Sequence, residues 1–446
     1  MRAPTLPLGN TLLPDTSQKV GAGGGPQLRR LPKAPQDGWL KLAALVDQGI
    51  VSATSILTVV ILARFAGSEQ LGLYSLGMTA VFLALAVQES LITAPYMVFL
   101  NLKGLRGSAL SRYTGSILAQ SMALGLLASS LLVLGGVSGA MLGHAAASEI
   151  AFVLSGAVLF MLLRELARRD CLARSHMPLL LVIDSVAAIT QVGLLLVIGV
   201  LFTLDARIAI VVLALATGVA FTIWILISHS SISIDRRSLR VHSGRSWQFG
   251  RWVLWCSVAT VLNHYSVHWI LAIGAGPAAT GAFEAIRALA SLINPMINGL
   301  RNIVGPLGAR KIAQVGIKAA RHLVGSTTKL IAAVGAGWLI VVYLFAEPLL
   351  TAFYGLEYSH YGLVLLITAA SFVVFGLGVP SDQGLWAAER PEINAYAATA
   401  SLIVTVSVSL VLFSADPLLA VAVGLLAGKT LEALARMVGF ARATRS

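Results

Sequence analysis

The sequence has 446 residues, 57% of them hydrophobic and only 11% charged, far below the roughly 25% charge of a soluble domain, so water is excluded as its main solvent. Its net charge of +13 would suit nucleic acid only if the basic residues shared one wetted face; they sit in short loops between apolar runs, which fits an anionic lipid surface instead. The two cysteines, Cys171 and Cys256, have no metal-type spacing, which excludes a disulfide framework and a zinc site and leaves them a packing role.

Residues 1–38 are rich in proline and glycine, include Gly21–Pro26, and lack the apolar core of a signal peptide; a disordered cytoplasmic tail is expected. Apolar runs follow at Leu40–Ala63, Leu76–Leu100, Gly115–Ala140, Ile150–Leu166, Leu179–Phe202 and Ile208–Ser228. A second set occupies Trp252–Ile273, Thr280–Val304, Ser326–Phe345, Tyr361–Trp386, Ile393–Phe413 and Leu418–Met437. Most approach the roughly 20 residues that carry a helix across a bilayer. The expected organisation is a first lobe over 39–230, a cytoplasmic linker over 231–251 and a second lobe over 252–446.

The loop charges test this count, because Lys and Arg should fall on alternate loops. Arg29, Arg30, Lys33 and Lys41 precede the first span, and Lys103, Arg106 and Arg112 follow the second. Arg164, Arg168, Arg169 and Arg174 follow the fourth, and Arg236, Arg237, Arg240, Arg245 and Arg251 the sixth. Arg310, Lys311, Lys318 and Arg321 follow the eighth, Arg390 the tenth, and Arg436, Arg442 and Arg445 the last. The opposite loops hold little basic beyond Arg64 and Arg207. Both termini are therefore expected in the cytoplasm.

The halves repeat. Gly67-Ser-Glu-Gln-Leu-Gly72-Leu-Tyr74, after the first span, aligns without gaps on Gly276-Pro-Ala-Ala-Thr-Gly281-Ala-Phe283, after the seventh. Each places a glycine where a tight turn would start the next helix. An even number of spans per half implies one orientation for both, hence an all-α integral membrane fold of about 12 helices in two six-helix lobes related by a pseudo-two-fold axis along the membrane normal. Two equivalent lobes flanking a cleft favour a transporter over an enzyme, and no G-x-x-x-x-G-K-[ST] phosphate loop is present. No catalytic residue, cofactor or resident metal is expected.

Charged groups inside a bilayer are expensive and usually face a cavity or a partner. In the eighth span Glu284, Arg287, Ser291, Asn294, Asn298 and Arg301 recur at three- and four-residue spacing and form one polar stripe. Arg287 and Arg301 are the foremost candidates, since guanidinium groups bind phosphate oxygens bidentately; the competing accounts are neutralisation of Arg287 by Glu284 and snorkelling of Arg301 to headgroups. Ser75, Thr79, Glu89, Thr93 and Tyr96 share a face of the second span, where Glu89 is either an ion-coupling group or the partner of an arginine. The first span offers Asp47, also a coupling candidate, with helix capping or pairing to Lys41 as the alternative. His264 and His268 in the seventh have the spacing of a metal pair but no third ligand nearby; hydrogen bonding to sugar or to a neighbouring helix fits better. Asp184, Asp382, Gln383 and Glu432 are further embedded polar groups, not separable from helix packing. Pro95, Pro295 and Pro380 mark sites for kinks.

The runs Asp47-Gln-Gly-Ile-Val-Ser52, Ala63-Arg64-Phe-Ala-Gly67, Gly72-Leu-Tyr74 and Thr93-Ala-Pro95-Tyr96 resemble the opening of polysaccharide-export proteins in the multidrug/oligosaccharidyl-lipid/polysaccharide superfamily. Leu163-Arg-Glu-Leu-Ala-Arg168-Arg-Asp-Cys-Leu-Ala-Arg174 and the helix after Gly276 also look like that family. The resemblance spans most of the chain after Gly38. It implies an alternating-access flippase of a bacterial inner membrane that carries undecaprenyl-pyrophosphate-linked repeat units of O-antigen or exopolysaccharide through a cationic central cavity, with a polysaccharide polymerase and chain-length machinery as candidate partners. Ala272 stands where the repeat would place a counterpart of Arg64, so a symmetric arginine pair is missing. The alternatives are an ion-coupled drug or small-molecule antiporter of the same superfamily, which should prefer acidic cavity residues, and a membrane polysaccharide polymerase or ligase, which needs a large outward loop. A peptidoglycan-precursor flippase would usually have additional helices.

Overall fold

A computed structural model describes residues 38–103, 105–229, 232–301, 317–388 and 390–444. The expected tail over residues 1–37, the loop cations Arg310 and Lys311, and Arg445 lie outside the described residues. Every regular element among the described residues is helical. The first lobe comprises α1 (Gly38–Phe65), α2 (Gly67–Gln88) with its continuation α3 (Ala94–Lys103), α4 (Gly107–Met141), α5 (Ala145–Ala173), α6 (Met177–Leu201) and α7 (Ala206–Ser228). The second comprises α8 (Arg236–Gly274), α9 (Pro277–Ala290) continued by helical residues 294–301, α10 (Ile317–Tyr354), α11 (Gly362–Ala387), α12 (Pro391–Leu412) and α13 (Pro417–Ala443). Ten helices among the described residues are long and apolar enough to cross a membrane. The polar-striped α8 and α9 with its continuation bring the fold to about twelve. Most of the segment expected as an inter-lobe linker is the beginning of α8, which starts at Arg236.

The repeated glycines take the positions the pattern implied. Gly67 and Gly276 have φ of 82° and 88°, a region that penalises any Cβ, and each immediately precedes or opens a helix, α2 or α9. The second glycine of each repeat then lets the lobes touch. A Cβ on Gly72 would lie 1.9 Å from the Pro277 carbonyl oxygen, and one on Gly281 would lie 1.8 Å from that of Ser68. The two contacts are reciprocal, as a two-fold axis between the repeats requires, and they close the inter-lobe seam at one end. We call this the glycine end, and the opposite end, where the arginine-rich connections lie, the basic end. Because lipid tails are as apolar as side chains, such close backbone approach is what drives helix association in a membrane.

Arg64, expected as a loop cation, belongs to the same closure. At the last turn of α1 it donates Nε to the Phe353 carbonyl at 2.8 Å and Nη2 to the Ala352 carbonyl, both in the last turn of α10 in the other lobe. A cation here also meets the negative end of that helix dipole. Phe82 of α2 and Tyr265 of α8 stack across the seam, ring centroids 5.1 Å apart.

Two of the prolines are absorbed differently in the paired helices. Before Pro95 the chain makes a π turn, Glu89–Thr93, in which the Ala94 N–H reaches back five residues to the Glu89 carbonyl. Before Pro295 it makes a 3-10 turn, Ser291–Ile293, in which the Asn294 N–H reaches back only three, to Ser291. Each irregular turn accommodates a ladder that proline cannot complete. Pro380 lies inside α11 without a break, whereas Phe345 in α10 leaves helical geometry three residues before Pro348.

Candidate functional site

A cavity of about 280 Å³ lies between the lobes, walled by α1, α2, α5, α6 and α7 on one side and by Tyr265, Glu284 and Arg287 on the other. Thr54, Ser55, Thr58, Ser75, Gln191 and Thr217 supply its neutral polar lining. Arg164, Arg168 and Arg287 face it together with Glu165 and Glu284, so its surface carries one formal positive charge in excess.

The first-lobe arginines are a correction to the loop assignment. α5 runs on to Ala173 and ends at a turn where Ser175 has φ of 59°, so Arg164, Arg168 and Arg169 are helical residues rather than loop cations. Arg164 and Arg168, four apart, share one face, and both are gripped by Asp184 of α6, which is fully buried: Arg164 Nη2 and Arg168 Nε each donate to it at 2.7 Å. Arg168 also reaches Asp47 of α1 at 3.1 Å and Glu165 at 3.2 Å. Arg169 joins Glu165 at 2.6 Å and Glu89 at 3.3 Å. Thus Asp184 holds arginines in place, Asp47 pairs with Arg168 behind the cavity wall, and Glu89 is the partner of an arginine. Among the described residues the Arg164 Nε and the Asp47 Oδ1 are buried without hydrogen-bond partners, an expensive state in a dry interior. Arg174, in the turn that follows α5, is a paired cation: it binds Asp170 at 2.8 Å, which also accepts from Tyr96 and Trp224.

On the facing wall Glu284 grips Arg287 through two bonds, of 2.7 and 2.6 Å, and accepts a third from His268 at 2.8 Å. Neutralisation and cavity lining, posed as alternatives, therefore hold together: Arg287 is paired yet keeps its remaining edge toward the cavity, with Tyr265 under the guanidinium at 5.6 Å. His268 is fully buried and lies behind Glu284, not on the cavity. His264 faces a small gap shared with Arg287 and Lys429.

The polar stripe of the eighth span does not stay on one wall. The 3-10 turn winds at 3.0 residues per turn against 3.6, so its three residues rotate the next helical segment by about 60°. Beyond it Asn294 and Asn298 line neither main cavity, and Arg301, exposed, lines a second cleft of about 550 Å³ nearer the basic end. Glu89 is on the same cleft, with Asp382, Gln383 and Arg436. Arg436, expected as a chain-end cation, is buried in α13, 2.7 Å from Glu432, which also takes Lys429 at 2.9 Å. Sequence reasoning missed Lys429 and the inward role of Arg164 and Arg168. The signal was present: Arg164/Arg168 and Lys429/Glu432/Arg436 recur three or four residues apart, the spacing of one helix face, with no helix breaker between them. Among the described residues no group of three or more His, Cys, Asp or Glu is arranged to hold a metal.

The sequence matches no protein-family model, and no curated protein matches it. Solved structures do share the fold. A multidrug resistance MATE family transporter of the MOP superfamily, in an inward-facing conformation, superposes with a TM-score of 0.69 at 14% identity over 91% of this chain and 97% of the other. The lipid II flippase MurJ in an inward closed conformation gives 0.72 at 11%, covering 91% and 90%. The Vibrio cholerae MATE transporter VcmN in its bent form gives 0.64 at 16%, covering 91% and 96%.

Proposed function

We propose that this chain is an alternating-access flippase that carries undecaprenyl-pyrophosphate-linked oligosaccharide repeat units across a bacterial inner membrane for exopolysaccharide or O-antigen synthesis. The observation that carries the reading is the convergence of Arg164 and Arg168 from one lobe and Arg287 from the other on one inter-lobe cavity. Guanidinium groups on facing walls suit a pyrophosphate that must be held while the lobes rock. The hydroxyl and amide lining suits sugar, and a cavity of about 280 Å³ takes a headgroup rather than a polyprenyl tail. In this reading the basic end is cytoplasmic, both termini lie there, and the lobes meet near residues 231–251. A polysaccharide polymerase and its chain-length machinery would act downstream; nucleic acid has no part. Asp47 and Glu89, each paired with an arginine of α5, are the carboxylates through which a proton or sodium gradient would act.

A second reading, a cation-coupled small-molecule antiporter, draws on the buried Asp47 and Asp184 beside the cavity. Both readings meet the same test. The gene is deleted, and surface polymer and lipid-linked intermediates are measured before and after complementation with wild type and with Arg287→Ala at equal expression. Loss of polymer with intermediates held on the inner leaflet, rescued by wild type alone, is expected. Normal polymer with increased drug sensitivity would favour the antiporter.

A further inference from the structure

Helices α1 and α6 are tied at two levels. Toward the basic end Arg168 bridges Asp47 of α1 and Asp184 of α6. Nearer the glycine end Gln191 of α6 donates to Thr58 of α1 at 2.8 Å. Asp184 and Gln191 are seven residues apart, so the ties stand about 10 Å apart along α6. Among the described residues no hydrogen bond or ion pair joins the two helices between them. The interval opens instead onto an apolar groove of about 500 Å³, lined among others by Ile50, Leu57, Ile189, Val192 and Leu196. The groove faces outward, and Ile189 is 72% exposed.

Thr54 and Ala188 line this groove and also line the central cavity. At that level two side chains separate the membrane face from the polar interior. Thr54 donates its hydroxyl to the Ile50 carbonyl at 2.7 Å, so the partition offers hydrocarbon no free donor. Ser185, on the groove, directly follows Asp184, which holds Arg164 and Arg168 on the cavity side. The cation site and the groove are thus back to back on one helix.

We propose that this slot is where the apolar chain of the lipid-linked substrate leaves the cavity, its phosphate on Arg164 and Arg168 and its chain drawn between Thr54 and Ala188 into the α1–α6 groove. The inference rests on the flippase reading. The occupant follows from continuity: the groove adjoins a site for anions, and an isoprenoid chain attached to that anion gains by burial along aliphatic walls. Parting Thr54 from Ala188 requires neither polar tie to break.

The full-length protein in vesicles is incubated with a diazirine-bearing polyprenyl pyrophosphate, and the crosslinked residues are mapped. Labelling of Leu57, Ile189 and Leu196 should exceed that of the exposed lipid-facing residues Leu126 and Val411 by about tenfold, as burial of a couple of methylenes gives. Inorganic pyrophosphate should compete with it. Val192→Trp, which fills the groove at a position that does not line the central cavity, should slow flipping of the lipid-linked probe and leave pyrophosphate binding unchanged. Labelling at the inter-lobe cleft, at Glu89 and Ser257, with pyrophosphate still bound, would overturn the slot and spare the flippase. Equal labelling by a diazirine phosphatidylcholine would make the groove a site for bilayer lipid and overturn the slot as well. Absence of any pyrophosphate-competed binding would overturn the flippase reading, and the slot with it.

Discussion

Gly281→Ala tests the closure between the repeats. The added Cβ would stand 1.8 Å from the Ser68 carbonyl oxygen and 2.7 Å from the Gly72 nitrogen. Both are backbone atoms, so no rotamer change relieves the clash, and a C···O contact of roughly 3.3 Å requires α2 and α9 to part by about 1.5 Å. Overpacking of this kind costs about 1–3 kcal/mol, which multiplies the population open at the glycine end by about 5 to 150. Spin labels at Glu69→Cys and Ala278→Cys, equivalent exposed positions of the two repeats, in a background with Cys171 and Cys256 replaced by Ala, report that opening as a longer component in the measured distance distribution. Gly135→Ala, where an added Cβ meets nothing within 4 Å, should leave the distribution as in wild type. If Gly281→Ala does the same in folded protein, the crossing is not a gate and the reasoning fails.

Arg64→Ala removes two hydrogen bonds between the lobes at the same end and should lengthen the same distance. Its effect should be smaller, about 1 kcal/mol after discounting for exposure, with partial recovery in Arg64→Lys. Asp184→Asn strips the shared carboxylate from Arg164 and Arg168 inside the first lobe and should cost about 3–5 kcal/mol, seen as a lower melting temperature; an unchanged one would mean the arginines find other partners. Arg287→Ala, which leaves buried Glu284 bonded only to His268, should abolish pyrophosphate binding and lower the melting temperature by an amount comparable to Asp184→Asn. Glu89→Gln removes a pair in which Glu89 is 50% exposed and should change stability by about 1 kcal/mol at most. Unchanged transport across pH in that variant would remove Glu89 from any proton coupling.

The architecture was legible because bilayer thickness and loop charge act on long stretches that hydropathy reads directly, and because Gly67–Gly72 and Gly276–Gly281 mark the repeat in plain sequence. The site was legible only in part. Arg287 and Glu284 were visible as neighbours on one helix, but Arg164 and Arg168 look like loop cations as long as α5 is assumed to end with its apolar run. Only the position of the turn at Ser175 separates the two accounts. Partnerships such as Asp47 with Arg168, 121 residues apart, have no local signature. Nor could helical spacing foresee that the 3-10 turn at Ser291–Ile293 sends Arg287 to one cavity and Arg301 to another, since the stripe is continuous only while the helix stays α-helical.

The central claim is tested most directly by reconstituting the purified protein in vesicles that carry a polyprenyl-pyrophosphate-linked oligosaccharide with a labelled sugar, and following the label's accessibility from the far leaflet. The account predicts rapid exposure with wild type and background rates with Arg164→Ala and Arg287→Ala at equal reconstitution. Background rates with wild type, alongside cation-driven uptake of small organic cations, would contradict it.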